Sequence, residues 1–290
     1  MSHAAASNRY YVPHHAHWPI AGSLGLFALL GGAGLLLNGH DIGRWSMLTG
    51  AAIFVTMLFG WFGDVIRESR AGLYNAQVDA SYRLGMLWFI FSEVMFFAAF
   101  FGALFYARAF VVPWLGGQGS GALTNELLWP GFEAVWPSNG PAAVGGPFET
   151  IPAGGVPLLN TLLLLSSGFT ITMAHKALKK SRRTGLALWM AATIILGALF
   201  LYYQASEYIH AYHELGLTLG SGIYGSTFFM LTGFHGLHVT LGAIMLTVIL
   251  LRILAGHFTA KNHFAFEAVA WYWHFVDVVW LGLFFFVYVL

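Results

Sequence analysis

Leu87–Phe101 reads Leu-Trp-Phe-Ile-Phe-Ser-Glu-Val-Met-Phe-Phe-Ala-Ala-Phe-Phe, and Glu93 is the single charged residue in it. The nearest charged residues in the sequence are Arg83 and Arg108. An apolar segment of this length is a candidate for a transmembrane helix. Glu93 would then lie near the middle of the bilayer, where an ionised side chain costs roughly 2.5–3.5 kcal/mol or more and is read as functional by default.

The composition places the whole chain in a membrane. Of its 290 residues, 58% are hydrophobic and only 9% are charged, whereas a soluble domain carries about 25% charged residues. The 17% aromatic content and the 35 glycines suit packed membrane helices. A net charge of +1 gives no support to nucleic-acid binding, and the absence of cysteine excludes disulfides, thiolate metal sites, iron–sulfur clusters and c-type haem attachment.

Apolar segments alternate with short polar ones along the chain. They predict an all-α protein with seven transmembrane helices, which we treat as a single membrane domain over residues 1–290. The loop at 109–156 is rich in Gly and Pro, contains no Lys or Arg, and is predicted to be an irregular excursion on the periplasmic side. The predicted spans are about 18–38, 43–63, 84–108, 157–176, 186–206, 224–254 and 271–289.

The distribution of Lys and Arg predicts the orientation. The loops at one end of the predicted spans hold eleven basic residues and the loops at the other end hold two, Arg44 and Arg108. Because positive loops stay in the cytoplasm, we expect residues 1–17 inside and Leu290 outside. The eleven are Arg9, Arg67, Arg70, Arg83, Lys176, Lys179, Lys180, Arg182, Arg183, Arg252 and Lys261.

Two histidines of the sixth predicted span are candidate partners for Glu93. His235 and His238 are three residues apart and therefore share one helical face. Haem or metal ligation is one interpretation, but two ligands alone are insufficient. We favour polar packing, with one histidine hydrogen-bonded to Glu93. Burial favours the neutral form of a carboxylic acid, so we expect a protonated Glu93, an interpretation compatible with a role in proton handling.

The start of the last span carries further polar residues in an aromatic setting. Glu267, His274 and Asp277 lie in or just before Trp271–Trp280, and His274 and Asp277 are spaced to pair. Hydrogen bonds between helices are the simplest explanation for them. At the outer end of the fifth span the residues Glu207, His210, His213 and Glu214 form a second polar group, which we interpret as a solvated helix end.

Basic side chains at the predicted cytoplasmic edge are candidates for lipid binding. Arg67 follows Trp61 near the end of the second span, and Arg252 lies near the inner end of the sixth. Basic pockets at this depth bind anionic lipid headgroups. The alternative is that both arginines only flank the spans and set the topology.

Ordered motifs along nearly the whole chain resemble one known family. Trp271–Trp280, preceded by Phe266-Glu267-Ala268, is similar to the C-terminal signature of cytochrome c oxidase subunit III. The other motifs match the start of that family and its third to sixth helices in the right order. These are Trp18-Pro19, Ser92–Phe97, Pro157–Thr161, Gln204–Tyr208 and Thr232–Val239.

The resemblance implies a seven-helix subunit of a haem–copper oxidase in the respiratory chain. The family separates two helices from the other five and holds phospholipids in the cleft between them. It carries no haem, copper or other metal, so that oxygen reduction, proton pumping and electron uptake from cytochrome c reside in subunits I and II. Subunit III binds subunit I, supports proton uptake and protects the enzyme from inactivation during turnover. Compact basic loops and similarity to proteobacterial versions imply a bacterial inner membrane.

The resemblance also assigns roles to individual residues. Glu93 falls on the family's intramembrane glutamate, and the lipid-headgroup positions fall on or beside Trp61, Arg67, Glu68 and Arg252. The family commonly has a His a few residues after this Glu68. Here the loop reads Gly-Leu-Tyr-Asn over Gly72–Asn75. One lipid contact is therefore absent or is made by Asn75.

Three alternative functions remain open at this point. The third subunit of a quinol oxidase is the nearest, but such homologues often lack the first two spans. A stand-alone proton channel or transporter using Glu93 would need a polar path to both surfaces, which the flanking Met, Phe and Ala residues do not supply. A membrane haem carrier using His235 and His238 is the third, and it would show a haem absorption band when purified alone.

Overall fold

The computed structural model describes residues 10–13 and 16–290, and this part of the chain contains only helices and loops, with no strand. The all-α prediction is therefore confirmed. Most of the N-terminal segment 1–17, predicted to face the cytoplasm, lies outside the described residues. The helices are α1 Trp18–Leu37, α2 Ile42–Arg70, α3 Ala76–Tyr106, α4 Val112–Leu115, α5 Ala122–Leu128, α6 Val156–Lys179, α7 Arg183–His213, α8 Gly222–Leu254 and α9 Phe264–Leu283.

Within the described residues, seven helical segments are long and apolar enough to cross a membrane, which confirms the predicted number. Most extend beyond the predicted edges. For example, α2 continues to Arg70 rather than residue 63, and α9 begins at Phe264 rather than residue 271. The additional polar turns at the ends of these helices are helical because the backbone hydrogen bonds continue past the residue at which the hydropathy falls. Hydropathy therefore marks the apolar centre of each helix and underestimates its length.

The long loop begins later than predicted, because α3 and α4 form one continuous apolar segment, Ala76–Leu115. The two helices are joined by a π-helical turn, Ala107–Val111. This wider turn precedes Pro113, which has no backbone N–H to give to a regular helix. The segment ends at Gly116 and Gly117, where Gly117 has a φ of 89°. The loop is thus 116–155, and it contains α5.

Backbone packing divides the chain into two units, residues 1–84 and residues 85–290. The first contains α1, α2 and the start of α3. The second contains the rest of α3 and all later helices.

In the first unit, α1 and α2 form a hairpin whose helices meet at glycines. Gly25 and Gly32 on α1, and Gly43 and Gly50 on α2, are each seven residues apart. A Cβ added at Gly32 would lie 2.7 Å from the carbonyl oxygen of Gly43, and one added at Gly50 would lie 2.4 Å from the nitrogen of Leu29. The two backbones therefore touch, as small residues allow in membrane helix pairs.

In the second unit, α6, α7 and α8 surround α9 at Trp273. The Trp273 side chain is fully buried. Its indole N–H donates to the hydroxyl of Ser167 on α6 at 2.8 Å. Its ring fills the space left by glycines on the other two helices, since a Cβ at Gly197 of α7 or Gly242 of α8 would lie 2.7 or 2.8 Å from the ring. One side chain thus contacts three helices.

Trp280 repeats this arrangement two turns later. Its indole N–H donates to the hydroxyl of Thr161 on α6 at 2.9 Å. Its ring meets Phe200 of α7 edge-on, with centroids 4.7 Å apart, and packs against His235 of α8 at 5.2 Å. Aromatic pairs at such distances contribute about 0.5–1.5 kcal/mol beyond their area. The two tryptophans therefore define the core of the second unit.

The 116–155 loop packs on the connection between α7 and α8. The backbone nitrogen of Glu149 donates to the carbonyl of Leu215 at 2.9 Å, and that of Tyr224 donates to the carbonyl of Ser138 at 3.2 Å. Phe148 stacks on the Tyr224 ring with a centroid distance of 5.5 Å. The loop therefore packs against the helices as an ordered part of the second unit.

The glycine contacts of the hairpin lead to a stability prediction. Gly50→Ala adds a Cβ 2.4 Å from the Leu29 nitrogen, so the helices must move apart. We expect the free energy of unfolding to fall by about 1–3 kcal/mol. The measurement is denaturant unfolding of the full chain in detergent, followed by helix content.

Gly34→Ala is the matched control, because a Cβ at this position of α1 meets nothing within 4 Å. It should leave stability unchanged or raise it by up to about 1 kcal/mol through helix propensity. Equal losses in the two variants would contradict the close approach of α1 and α2.

Candidate functional site

The intramembrane acid, on the third spanning helix, lies beside a histidine of the sixth spanning helix. Glu93 is on α3 and His238 on α8, and the Glu93 Oε2 atom lies 3.0 Å from His238 Nε2. The side chains are 22% and 10% exposed, respectively. The second unit therefore supplies Glu93 with a hydrogen-bonding partner at mid-helix, where the sequence predicted that a helix-six histidine would stand.

Aromatic rings surround this pair. The rings of Phe96 and Phe97 of α3 lie 5.9 and 5.0 Å from the His238 ring, and the Tyr272 ring of α9 stacks on it at 6.3 Å. The Tyr272 hydroxyl donates to the His238 carbonyl at 3.4 Å. These contacts fix the orientation of the imidazole and keep other polar groups away from it.

The hydrogen bonds of His238 determine how many protons the pair carries. His238 Nδ1 lies 2.6 Å from the carbonyl oxygen of Phe234. A carbonyl only accepts, so Nδ1 carries a hydrogen. The 3.0 Å contact between Nε2 and Glu93 then holds one more proton, either on the acid or on the imidazole. In both arrangements the pair has no net charge, which removes most of the cost of placing Glu93 in the membrane.

His235, the second histidine of the motif, has a different partner. It is fully buried, and its Nε2–H donates to the carbonyl of Val276 on α9 at 3.2 Å. Its Nδ1 has no hydrogen-bond partner among the described residues. His235 and His238 thus have different hydrogen-bond partners, on α9 and α3 respectively, an arrangement that fits polar packing better than shared ligation of a metal or haem.

The polar residues of α9 fall into two groups. His274 Nδ1 lies 3.5 Å from Asp277 Oδ2, so these residues pair as their spacing predicts. Glu267 instead lies beside His175 of α6 and His263, the residue before α9, at 3.4 and 3.2 Å. Neither histidine was predicted from the sequence as a partner of Glu267. The one local signal was the four-residue spacing of His263 and Glu267, which places them on one helical face.

Glu207 corrects the predicted solvated cluster at the outer end of α7. Its side chain is only 3% exposed. Glu207 Oε1 accepts a hydrogen bond from the Tyr288 hydroxyl at 2.7 Å and another from the Gln204 amide at 3.2 Å. The other three residues of the predicted cluster, His210, His213 and Glu214, are exposed as expected. Glu207 differs because Tyr288, in the π-helical segment Phe284–Val289 that follows α9, covers it.

The predicted lipid-binding residues of the first unit lie on the last three turns of α2. Trp61 is 47% exposed and stacks on Phe62. The Arg67 side chain is 74% exposed and pairs with Asp64. Glu68 accepts hydrogen bonds from the hydroxyls of Tyr74 and Tyr11, at 2.7 and 3.1 Å. Trp61 and Arg67 are therefore available to a ligand, whereas Glu68 is engaged by tyrosines of its own unit.

The loop between α2 and α3 shows what replaces the family's histidine. Asn75 Oδ1 accepts a hydrogen bond from the backbone nitrogen of Val78 at 3.0 Å, so Asn75 caps the start of α3. Burial, together with hydrogen bonds to Tyr82 and Glu68, raises the pKa of the Tyr74 hydroxyl well above its ordinary value. Tyr74 therefore keeps its hydrogen and donates a hydrogen bond to Glu68. The role of Asn75 is structural, since it caps α3.

Arg252 belongs to the second unit, in the last turn of α8. Its guanidinium lies over the ring of Phe258, 4.5 Å from the centroid. A cation over an aromatic face is stabilised by about 0.5–1 kcal/mol at exposed sites. This contact holds the Arg252 side chain in a defined direction at the end of the bundle.

Comparison with known proteins gives independent information. The sequence model of the family described as cytochrome c oxidase subunit III matches residues 8–290. Cytochrome c oxidase subunit 3 of Pongo abelii is 44% identical over 282 residues, 97% of each chain. The protein of that name from Homo sapiens is 41% identical over 279 residues, 96% of this chain and 95% of its own. That of Struthio camelus is 40% identical over 289 residues, 99% and 98% of the two chains.

The Glu93–His238 geometry leads to a spectroscopic prediction. A neutral pair avoids two buried charges in a low-dielectric setting, so we expect the shared proton on Glu93. Infrared difference spectra between the wild-type chain and Glu93→Gln at neutral pH should show loss of a protonated carboxyl C=O band. Asp277→Asn is the control, and it should remove a different band or none. Loss of carboxylate bands in Glu93→Gln would place the proton on His238 instead.

Proposed function

Since the chain belongs to the cytochrome c oxidase subunit III family, we propose that it serves as the non-redox third subunit of a proton-pumping oxidase. In this proposal it binds oxidase subunits I and II, holds phospholipids, and supports proton uptake and stability during turnover. The observation that carries the proposal is the match to the family over residues 8–290. Full-length similarity of this kind includes both units, and therefore the first two spans that quinol-oxidase homologues often lack.

We assign haem and copper to the partner subunits. The chain has no cysteine, and the imidazoles of the spanning motif are engaged. His235 Nε2 donates to Val276, and both nitrogens of His238 face hydrogen-bond partners. Axial ligation by either Nε2 would break one of these buried bonds, at a cost of about 1–3 kcal/mol for each group left without a partner. Electrons from cytochrome c would thus pass through the complex outside this chain.

Glu93 is proposed to act by holding α3 in position. The backbone of α3 is not among those that lie closely against a neighbouring helix. It reaches the rest of the second unit through aromatic side chains, such as Phe96 and Phe97, and through the Glu93–His238 hydrogen bond. The aromatic rings around the pair speak against a stand-alone proton path through it. Its influence on proton supply would then be exerted through the packing of α3 beside the catalytic subunit.

The lipid role is proposed for basic and aromatic groups near the ends of α2 and α8. Trp61 and the largely exposed Arg67 lie near the end of α2, and Arg252 is oriented by Phe258 at the end of α8. A guanidinium binds a phosphate through two parallel hydrogen bonds, and Trp prefers the headgroup level of a bilayer. The group on α2 and the group on α8 each suit an anionic phospholipid headgroup.

The proposed location is a bacterial inner membrane with the N-terminus in the cytoplasm and Leu290 in the periplasm. The support for the orientation is the asymmetry of Lys and Arg, eleven against two, between the two sets of loops. Lys176, Lys179 and Lys180 at the end of α6 belong to the basic side. The 116–155 loop, with no Lys or Arg, belongs to the other.

The proposed function is tested by isolating the chain from its own membranes through an affinity tag. We expect haem- and copper-bearing subunits to co-purify with it, and the preparation to oxidise reduced cytochrome c. The same tag on an unrelated seven-helix protein of that membrane is the control for non-specific capture. Recovery of the chain without haem-bearing partners, or with quinol oxidation only, would contradict the proposal.

The lipid assignment has a separate test. The double variant Arg67→Ala/Arg252→Ala should lose tightly bound anionic lipid and inactivate sooner during turnover. Each arginine near an anionic surface contributes about 1 kcal/mol, so lipid affinity should fall about fivefold per residue. Lipid counts by native mass spectrometry and turnover lifetimes give the readout. Arg44→Ala at the opposite end of α2 should change neither, and unchanged lipid content in the double variant would refute the assignment.

A further inference from the structure

Three side chains converge at the end of the bundle that carries Lys176, Lys179 and Lys180. They are His175 on α6, His263 just before α9, and Glu267 in the first turn of α9. His175 Nε2 lies 3.3 Å from His263 Nε2 and 3.4 Å from Glu267 Oε1. The third edge of the triangle, His263 Nε2 to Glu267 Oε1, is 3.2 Å. Each residue thus offers one ligand-type atom to a common centre.

Hydrogen atoms alone cannot make all three contacts favourable. If only one of the three atoms carries a hydrogen, that hydrogen can be shared with the other two atoms. Those two atoms then face each other as acceptors, with no hydrogen between them. Hydrogens on both histidine nitrogens would place two N–H groups against each other at 3.3 Å. A neutral imidazole nitrogen and a carboxylate oxygen are both lone-pair donors to a metal. A cation at the centre would make every contact of the triangle favourable.

The second ring nitrogen of His263 supports this arrangement. His263 Nδ1 lies 3.1 Å from the carbonyl oxygen of Thr259, so Nδ1 carries the hydrogen and, in the neutral ring, Nε2 presents its lone pair to the centre. Metal-ligating histidines usually have such a partner, which fixes their tautomer and orientation. The His175 ring is also held in place, because it packs against Phe266 with a centroid distance of 5.4 Å.

The three distances indicate which cation fits. Ligands at 2.0–2.1 Å from a tetrahedral Zn²⁺ are separated from one another by about 3.3–3.4 Å. Neighbouring ligands of an octahedral Mg²⁺ at the same bond length are separated by only about 2.8–3.0 Å. The observed values of 3.2, 3.3 and 3.4 Å match the tetrahedral case. Two imidazoles and one carboxylate also suit zinc, with a fourth position left for water.

We propose that His175, His263 and Glu267 form a binding site for a tetrahedral divalent cation, Zn²⁺, which joins the end of α6 to the start of α9. The His175 side chain is 25% exposed, so the metal and its water can reach the site from solvent. Lys179 interacts electrostatically with His175, and its positive charge lowers the affinity for a cation. The site goes beyond the proposed oxidase role, and its test does not depend on partner subunits.

The test uses the purified full chain in detergent, freed of metal with a chelator. Equilibrium dialysis against Zn²⁺ is expected to give one bound ion per chain. His263→Gln and Glu267→Gln should each weaken binding at least about tenfold, because loss of an outer-shell partner alone typically costs 10–100-fold. The control is His274→Gln, on the same helix and paired with Asp277 outside the triangle, which should bind zinc like the wild type.

Two further measurements on the wild-type chain do not depend on how the variants fold. X-ray absorption at the zinc edge should report two imidazole neighbours and a coordination number of about four. Co²⁺ in place of zinc should give the strong visible bands of a tetrahedral ion. The proposal is overturned if no stoichiometric zinc binds, if His274→Gln loses as much affinity as the triangle variants, or if the bound ion is octahedral.

Discussion

The second unit depends on two indole N–H groups that must be satisfied inside a membrane bundle. Trp273 and Trp280 lie two turns apart on α9. The indole N–H of Trp273 donates to the Ser167 hydroxyl of α6, and that of Trp280 donates to the Thr161 hydroxyl of the same helix. Without water in the hydrocarbon region, a donor left without a partner costs several kcal/mol. This requirement fixes the rotation and depth of α9 against α6. The two rings then set the positions of α7 and α8, whose glycines and aromatic side chains fit around them.

The same constraint explains how the helices carry polar groups at mid-membrane. The His235 Nε2–H donates a hydrogen bond to the carbonyl of Val276, which lies between the two tryptophans in the sequence, and His238, one turn after His235, faces Glu93 of α3. Because His238 Nδ1 is committed to the Phe234 carbonyl, its contact with Glu93 holds a single proton and no net charge. Glu93 therefore helps to hold α3 against the second unit, with which α3 otherwise makes mainly aromatic contacts. Its removal would loosen the helix that has the fewest close backbone contacts.

Local patterns in the sequence were sufficient for features that depend on local chemistry. Seven apolar runs gave seven spans, and a lone acid in one run and a His-x-x-His pair in another identified the two helices that meet at Glu93. The sequence could not show that Glu207 is buried, because its cover comes from Tyr288, 81 residues further along the chain. Nor could the sequence show that His175 of α6 lies beside Glu267 of α9. The helix edges were underestimated because polar residues at helix ends keep the backbone pattern after the apolar run stops.

The polar clusters of the second unit can be compared by counting their hydrogens. At Glu207 one carboxylate oxygen meets two donors, from Tyr288 and Gln204. At Glu93 one proton joins two atoms. In both cases the available hydrogens match the contacts. The triangle of His175, His263 and Glu267 differs, because three single atoms in mutual contact cannot be paired by hydrogens in any arrangement. A cation at the centre of the triangle would accept a lone pair from each of the three atoms and so make all three contacts favourable.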